Sequence, residues 1–202
     1  MNTISASEQR EQTAILNFWF GGPWEQEPSY TQQRKLWFRK SEQTDQLIRD
    51  QFSQIYRQIA AGSRQSWSTT AQGALAAVIV LDQFSRNMFR ETPQAFATDA
   101  QALAVAEKAI AQGFDQQVFP AQRLFFYLPF EHSENKQHQQ RSVMLFQTLT
   151  HQSEELKDTY DYALKHQIII EQFGRFPHRN GILGRSSTPA EIAFLQQPGS
   201  SF

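Results

Sequence analysis

From Ala74 to Leu81 the chain reads Ala-Leu-Ala-Ala-Val-Ile-Val-Leu, apolar on every side, inside a longer Ala-rich stretch from Gln72 to Arg90. A helix with no polar face has to be surrounded by other elements, so this stretch predicts a central helix. Thr69 or Thr70 opens it and Thr92-Pro93 closes it. Whatever else the chain builds must pack around this segment, and the flanking sequence supplies only helices to do so.

Ser5 and Glu8 have capping-box spacing, and the segment behind them reaches Trp19 and Phe20 before Gly21-Gly22-Pro23 stops it. A short helix is predicted over Gln32 to Phe38. Ser41 reads as an N-cap, after which Leu47, Ile48, Phe52, Ile55, Tyr56 and Ile59 recur on one helical face until Gly62. Asp99 is expected to cap a helix running through Leu103, Ala106 and Ile110 to Gly113. Pro120 starts a Phe-rich segment that Pro129 is expected to interrupt, because proline lacks an N–H and clashes with the preceding turn. A polar-faced helix is then expected to begin near Glu131 and to carry Val143, Phe146 and Leu149. A further helix runs from about Glu154 to Phe173 and ends at Gly174. The last is signalled by Thr188-Pro189-Ala190-Glu191, a capping box with proline at the first helical position. No segment alternates with period two for long enough to form a sheet.

The expected fold class is therefore all-α, about eight helices, as stacked antiparallel helix pairs or a compact bundle. With 202 residues the chain suits one well-buried core, a single domain over 1–202 with loose ends at 1–7 and 197–202. Among its residues, 17 Phe and 4 Trp supply large apolar side chains. A net charge of -1 gives no field that would draw nucleic acid or an anionic membrane, so neither is expected as a partner. The chain has no cysteine, which excludes disulfides, thiolate metal sites and a thiol nucleophile. The apolar stretch from Ala14 to Phe20 lacks the charged leader and cleavage site of a signal peptide, and the central run is far below the roughly 20 residues of a membrane span. A cytoplasmic protein is the expectation.

Three constellations carry chemistry. In Leu81-Asp82-Gln83-Phe84-Ser85-Arg86-Asn87-Met88-Phe89-Arg90, the residues Asp82, Arg86 and Arg90 lie four apart, on one stripe of one helix. They read either as ion pairs tying helices together or as an arginine oriented by Asp82 and offered to an anion. In Tyr127-Leu128-Pro129-Phe130-Glu131-His132-Ser133-Glu134, the acids Glu131 and Glu134 suit a helix start, with Ser133 as cap. The same residues with His132 also form a plausible general acid/base set. Their spacing matches no zinc motif, and no metal is expected. The third is Phe173-Gly174-Arg175-Phe176-Pro177-His178-Arg179-Asn180-Gly181, continued by Gly184-Arg185. It has three arginines, one histidine and no acid between Gly174 and Arg185. Such a loop suits an oxyanion, since a guanidinium fork binds carboxylate or phosphate through two hydrogen bonds. Alternatively its arginines pair with Asp82, Asp99, Glu131 or Glu134. His166, isolated in an apolar helix, reads as a core histidine. Phosphate loops and dinucleotide fingerprints are absent and no cofactor is implied.

Together, Leu81-Asp82-Gln83-Phe84-Ser85-Arg86-Asn87, Phe96-Ala97-Thr98-Asp99, Leu128-Pro129-Phe130-Glu131-His132-Ser133-Glu134 and Phe173-Gly174-Arg175-Phe176-Pro177-His178-Arg179-Asn180 resemble the bacterial "domain of unknown function 924" family, from about Ile15 to Leu195. The resemblance implies an all-α, tetratricopeptide-like superhelix. Where members of that family usually continue with aspartates, this chain has Asn135-Lys136-Gln137-His138-Gln139. The expected function is binding of a small anionic ligand or peptide terminus in a polar pocket formed by Asp82, Arg86, Arg90, Glu131, His132, Arg175, His178, Arg179 and Asn180. One alternative is a hydrolase with Glu131 or Glu134 as base and His132 or His178 as partner. The other is a helical protein-interaction module.

Overall fold

The computed structural model describes residues 4–200. Nine helices and no strand are found among them. They are α1 (Ala6–Phe20), α2 (Tyr30–Phe38), α3 (Glu42–Ala60), α4 (71–88), α5 (Asp99–Ala111), α6 (Pro120–Glu131), α7 (Lys136–Thr150), α8 (Lys157–Phe173) and α9 (Pro189–Leu195). Short 3-10 turns fill several of the connections. No helix among the described residues is long and apolar enough to cross a membrane.

The local signals act where expected. Ser5 and Glu8 form a capping box at α1, Ser41 caps α3, and Thr70, not Thr69, caps α4. At α9 the Thr188 and Glu191 capping box is present with Pro189 behind it. Ser5 caps α1 and Ser200 Oγ donates to the carbonyl of Leu195, while residues 1–3 and 201–202, parts of the two expected loose ends, lie outside the described residues.

Helix α4 is central, packing against α1, α3, α5 and α6. Every residue from Ala74 to Leu81 is buried. Phe84, fully buried, gathers rings from three directions, with centroids 4.9 Å from Phe52, 5.5 Å from Trp19 and 6.0 Å from Phe18. Trp37 of α2 closes the cluster, donating from Nε1 to the Trp19 carbonyl at 2.7 Å and meeting Phe125 of α6 edge-on at 5.0 Å.

Gly73 permits the closest approach. A Cβ there would lie 2.4 Å from the backbone carbonyl oxygen of Trp67, which has no flexible side chain to move aside. Gly73→Ala is therefore expected to destabilise, although alanine is intrinsically the better helix former by about 1 kcal/mol. Forced backbone displacement costs about 1–3 kcal/mol, so urea unfolding should show a net loss with unchanged m.

Several expectations need correction. Pro129 does not interrupt the Phe-rich helix, which continues to Glu131. Every residue from Ala121 to Glu131 is buried, and packing on all sides outweighs the roughly 3 kcal/mol proline penalty. Glu131 thus ends one helix and does not begin the next; α7 starts at Lys136, capped by Asn135 and not Ser133. Asp99, likewise, is the first residue of α5 and follows the N-cap Thr98.

A further correction concerns α4. Ordinary α-helix over Ala71–Val78 widens into a π-helical segment over Ile79–Phe84, then returns to α over Ser85–Met88. Wide turns change the angular phase of everything after them and leave carbonyls for side chains to bond. Here Thr98 Oγ1 and Ser85 Oγ both donate to the Leu81 carbonyl, at 2.6 and 2.7 Å. Arg90, past the end of the helix, leaves the stripe it was assigned to and turns toward α3.

Candidate functional site

The wide turn sets Asp82 inside the protein, 0% exposed, facing the end of α6. Its Oδ1 accepts from His132 Nδ1 at 2.7 Å and lies 3.1 Å from Arg86 Nη1; its Oδ2 accepts from Gln83 Nε2 at 2.6 Å. Burial alone would raise this carboxyl's pKa, but the Arg86 charge and His132 hold it well below the usual carboxylate range. Asp82 is therefore an acceptor only, and His132 must carry its proton on Nδ1. Burial and the Arg86 charge in turn push His132 below the ordinary imidazole value, so its ring is neutral at pH 7.

Arg86 bridges two carboxylates. Besides Asp82 it reaches Asp99, with Nη1 and Nη2 at 3.0 and 3.1 Å, and it donates to the Asp82 carbonyl at 2.6 Å. It thereby ties α4 to α5. On the far side of Asp99 stands Arg179, its Nη1 3.4 Å from Oδ2.

Arg179 comes from the basic loop, and that loop is built to present it. Glu134 receives Arg185 at 2.7 and 2.9 Å and the Phe176 N–H at 2.8 Å. Burial would raise the Glu134 pKa, but Arg185 and the Phe176 N–H lower it overall. Arg185 Nε also donates to Asn180 Oδ1, whose Nδ2 donates to Ser187. Arg175 forms a two-point pair with Glu191 of α9 at 2.6 and 2.8 Å. With these anchors Phe176 is fully buried, and the Arg179 guanidinium is held between two rings, 4.6 Å from the centroids of both Phe96 and Phe176.

The remaining polar groups are neutral. Glu131, 4% exposed, lies 3.2 Å from His166 Nδ1, which also contacts the Tyr162 carbonyl at 2.8 Å. Burial first and the nearby Asp82 charge second push Glu131 up to about 8. At neutral pH the protonated form of Glu131 is favoured. Burial lowers His166, and burial with the Arg179 charge brings His178 to about 4. His166 packs its ring 5.5 Å from Phe176 and 6.4 Å from His132.

The structure thus brings Asp82, Arg86, Glu131, His132, His178 and Arg179 toward one cluster, seats Asp99 there as the partner for a loop arginine that the sequence already offered, and adds His166 and Phe176. Asp99 had a local signal in Phe96-Ala97-Thr98-Asp99; His166 had none, because its role depends on α8 packing against α6. Arg175, Arg185, Asn180 and Glu134 serve as scaffold. Arg90 lies elsewhere, paired with Asp45 at 2.5 and 3.0 Å. It lines an open cleft of 530 Å³ with Lys40, Asp45 and Arg49 that shares no residue with the cluster. Among the described residues no group of three or more His, Asp or Glu is placed to hold a metal ion.

One atom in the cluster stands out. Arg179, its side chain 8% exposed, makes only the long contact to Asp99, and its Nε–H has no hydrogen-bond acceptor among the described residues. Burial and the Arg86 charge bring its pKa down to about 10. A buried guanidinium short of acceptors is costly, and an incoming oxyanion would relieve that cost.

A family model described as "Bacterial protein of unknown function (DUF924)" matches residues 15–199. Among solved structures, a protein of unknown function from Agrobacterium tumefaciens is similar, with 37% identity and a TM-score of 0.81 over 93% of this chain and 98% of that one. No curated protein matches.

Proposed function

The chain belongs to the bacterial DUF924 family of unknown function, and from the chemistry of its own buried cluster we propose that it binds a small oxyanion at Arg179. The ligand would be a phosphate, a carboxylate or the carboxylate terminus of a peptide. What supports this reading is the Arg179 guanidinium itself: buried, 4.6 Å from the ring centroids of both Phe96 and Phe176, and lacking an acceptor at Nε among the described residues. Aromatic faces satisfy the charge without occupying the N–H donors, and arginine grips an oxyanion through two parallel N–H donors of its fork. Asp99 is the resident competitor. It is already shared with Arg86, so an entering anion can take over part of Arg179 without leaving Asp99 uncompensated.

The neighbouring groups fit the same reading. The two carboxylates Asp82 and Asp99 balance Arg86 and Arg179, while Glu131 and the three histidines stay neutral. The cluster therefore holds no surplus negative charge against an anion. Titration calorimetry at pH 7 with inorganic phosphate, sulfate and acetate is the test. At least one is expected to bind with a Kd in the millimolar range or tighter, which corresponds to about -4 kcal/mol. Arg179→Gln is expected to weaken that binding at least tenfold, whereas Arg90→Gln, beyond the end of α4 and paired with Asp45 of α3, leaves it unchanged. Absence of binding for all three, or equal binding by the Arg179 variant, would overturn the reading.

A further inference from the structure

A site is selective through its acceptors as much as its donors, and this one has an acceptor that the anion reading leaves unused. His132 gives its Nδ1–H to Asp82 at 2.7 Å, and Asp82, held ionised between Arg86 and Gln83, cannot return a proton. The imidazole is therefore fixed in one tautomer, with a bare lone pair on Nε2. No hydrogen-bond donor reaches Nε2 among the described residues, and the side chain, 15% exposed, retains an opening to solvent. From His132 to Arg179 runs a continuous chain of contacts: imidazole to Asp82, Asp82 to Arg86, Arg86 to Asp99, Asp99 to Arg179. The two ends of that chain present opposite chemistry. Arg179 can only donate and His132 Nε2 can only accept.

We propose that the ligand is an oxyanion that also carries its own hydroxyl hydrogen, such as hydrogen phosphate or a hydroxy acid, with the charged oxygens on Arg179 and the hydroxyl donated to His132 Nε2. The inference rests on the reading that Arg179 takes an anion and goes beyond it by naming the second group. A fully deprotonated oxyanion meets a lone pair at His132 and is repelled there, while a ligand with one remaining O–H satisfies it. Sites that hydrogen-bond a substrate hydroxyl discriminate strongly against the analogue lacking it, because the buried partner is left unpaired. Asp82 is a positioning residue in this scheme: it touches no ligand and acts by fixing the tautomer.

Phosphate and sulfate at pH 7 make the comparison nearly isosteric, since phosphate retains at least one proton on oxygen and sulfate none. Titration calorimetry on the wild-type chain is expected to give phosphate about tenfold or tighter binding than sulfate. Glycolate, 3-hydroxypropionate and 4-hydroxybutyrate against acetate, propionate and butyrate extend the test to carboxylates, with at least one hydroxy acid favoured by a similar factor. His132→Phe should bring each pair within about twofold, chiefly by weakening the hydroxyl-bearing member. Nitrogen-15 spectra of the wild-type imidazole supply a readout that needs no variant: Nδ1 protonated and Nε2 bare in the free protein, with only Nε2 shifting on addition of phosphate. If phosphate and sulfate bind equally and no hydroxy acid beats its deoxy counterpart, the inference is overturned and the anion reading stands. If none of the eight anions binds, both are overturned together.

Discussion

Glu131→Gln is expected to stabilise the protein at neutral pH, by about 3 kcal/mol. Glu131 is buried beside neutral His166, with no cation within ion-pair range and Asp82 nearby, so folding holds its proton to about 8 against an ordinary value of 4.5. The folded chain thus binds one more proton than the unfolded chain between those two values, and stability falls as pH rises through that window. At pH 7, holding that proton opposes folding by about 1.4 kcal/mol for each of some 2.5 units, and an amide of the same shape removes the penalty. For a chain of this size that corresponds to a rise in Tm on the order of 8 °C at pH 7. The gain should shrink to nothing near pH 4.5. Thermal unfolding of both proteins from pH 4.5 to 8 checks this. A variant less stable than wild type at pH 7 would show that Glu131 is ionised and paired with a protonated His166.

Asp82→Asn runs the other way and is expected to cost about 3–5 kcal/mol at pH 7, the range for removing one partner of a buried ion pair. The loss has two parts in the structure: Arg86 keeps only Asp99 as a charged partner, and His132 faces an amide that can donate as well as accept, so its tautomer is no longer fixed. Its pH signature is opposite to that of Glu131. A carboxylate with a depressed folded pKa contributes stability that is present above its unfolded value, 3.8, and is lost as pH falls below it. Wild type should therefore lose stability in acid through Asp82, and the variant should show a shallower acid limb. Urea unfolding at pH 7 and pH 3 is the measurement. A change under about 1 kcal/mol at pH 7 would mean that the buried network contributes little to folding.

The two carboxylates show why the site was only partly legible. Both were visible in the sequence as members of charged motifs, and nothing local distinguishes them. Asp82 is anionic because it faces a guanidinium one turn away and an imidazole 50 positions on; Glu131 keeps its proton because burial and the Asp82 charge push it up, with only a histidine beside it. The arginines divide in the same way. Arg175 and Arg185 are scaffold because Glu191 and Glu134 reach them, whereas Arg179 is left with half of an aspartate 80 positions earlier. Seen as letters, the three arginines of the loop are equivalent.

The helices, by contrast, follow from information carried within a few residues of each end. Capping boxes at Ser5 and Thr188, the apolar face of α3 and the featureless run of α4 each act through contacts three or four positions apart. That is why the all-α class was readable from the chain alone. The departures came where packing overrode the local rule. Pro129 stays inside a helix because that helix is buried on all sides, and α4 widens because Ser85, Thr98 and Arg86 take up the carbonyls of the wide turn. So the sequence by itself determined the helices, their order and the polar residues available for a site. The tertiary structure alone decided which charges cancel, which carboxyl keeps its proton and which guanidinium is left short of a partner. Those outcomes depend on distance and burial between groups far apart in the chain, and neither quantity exists until the helices have packed.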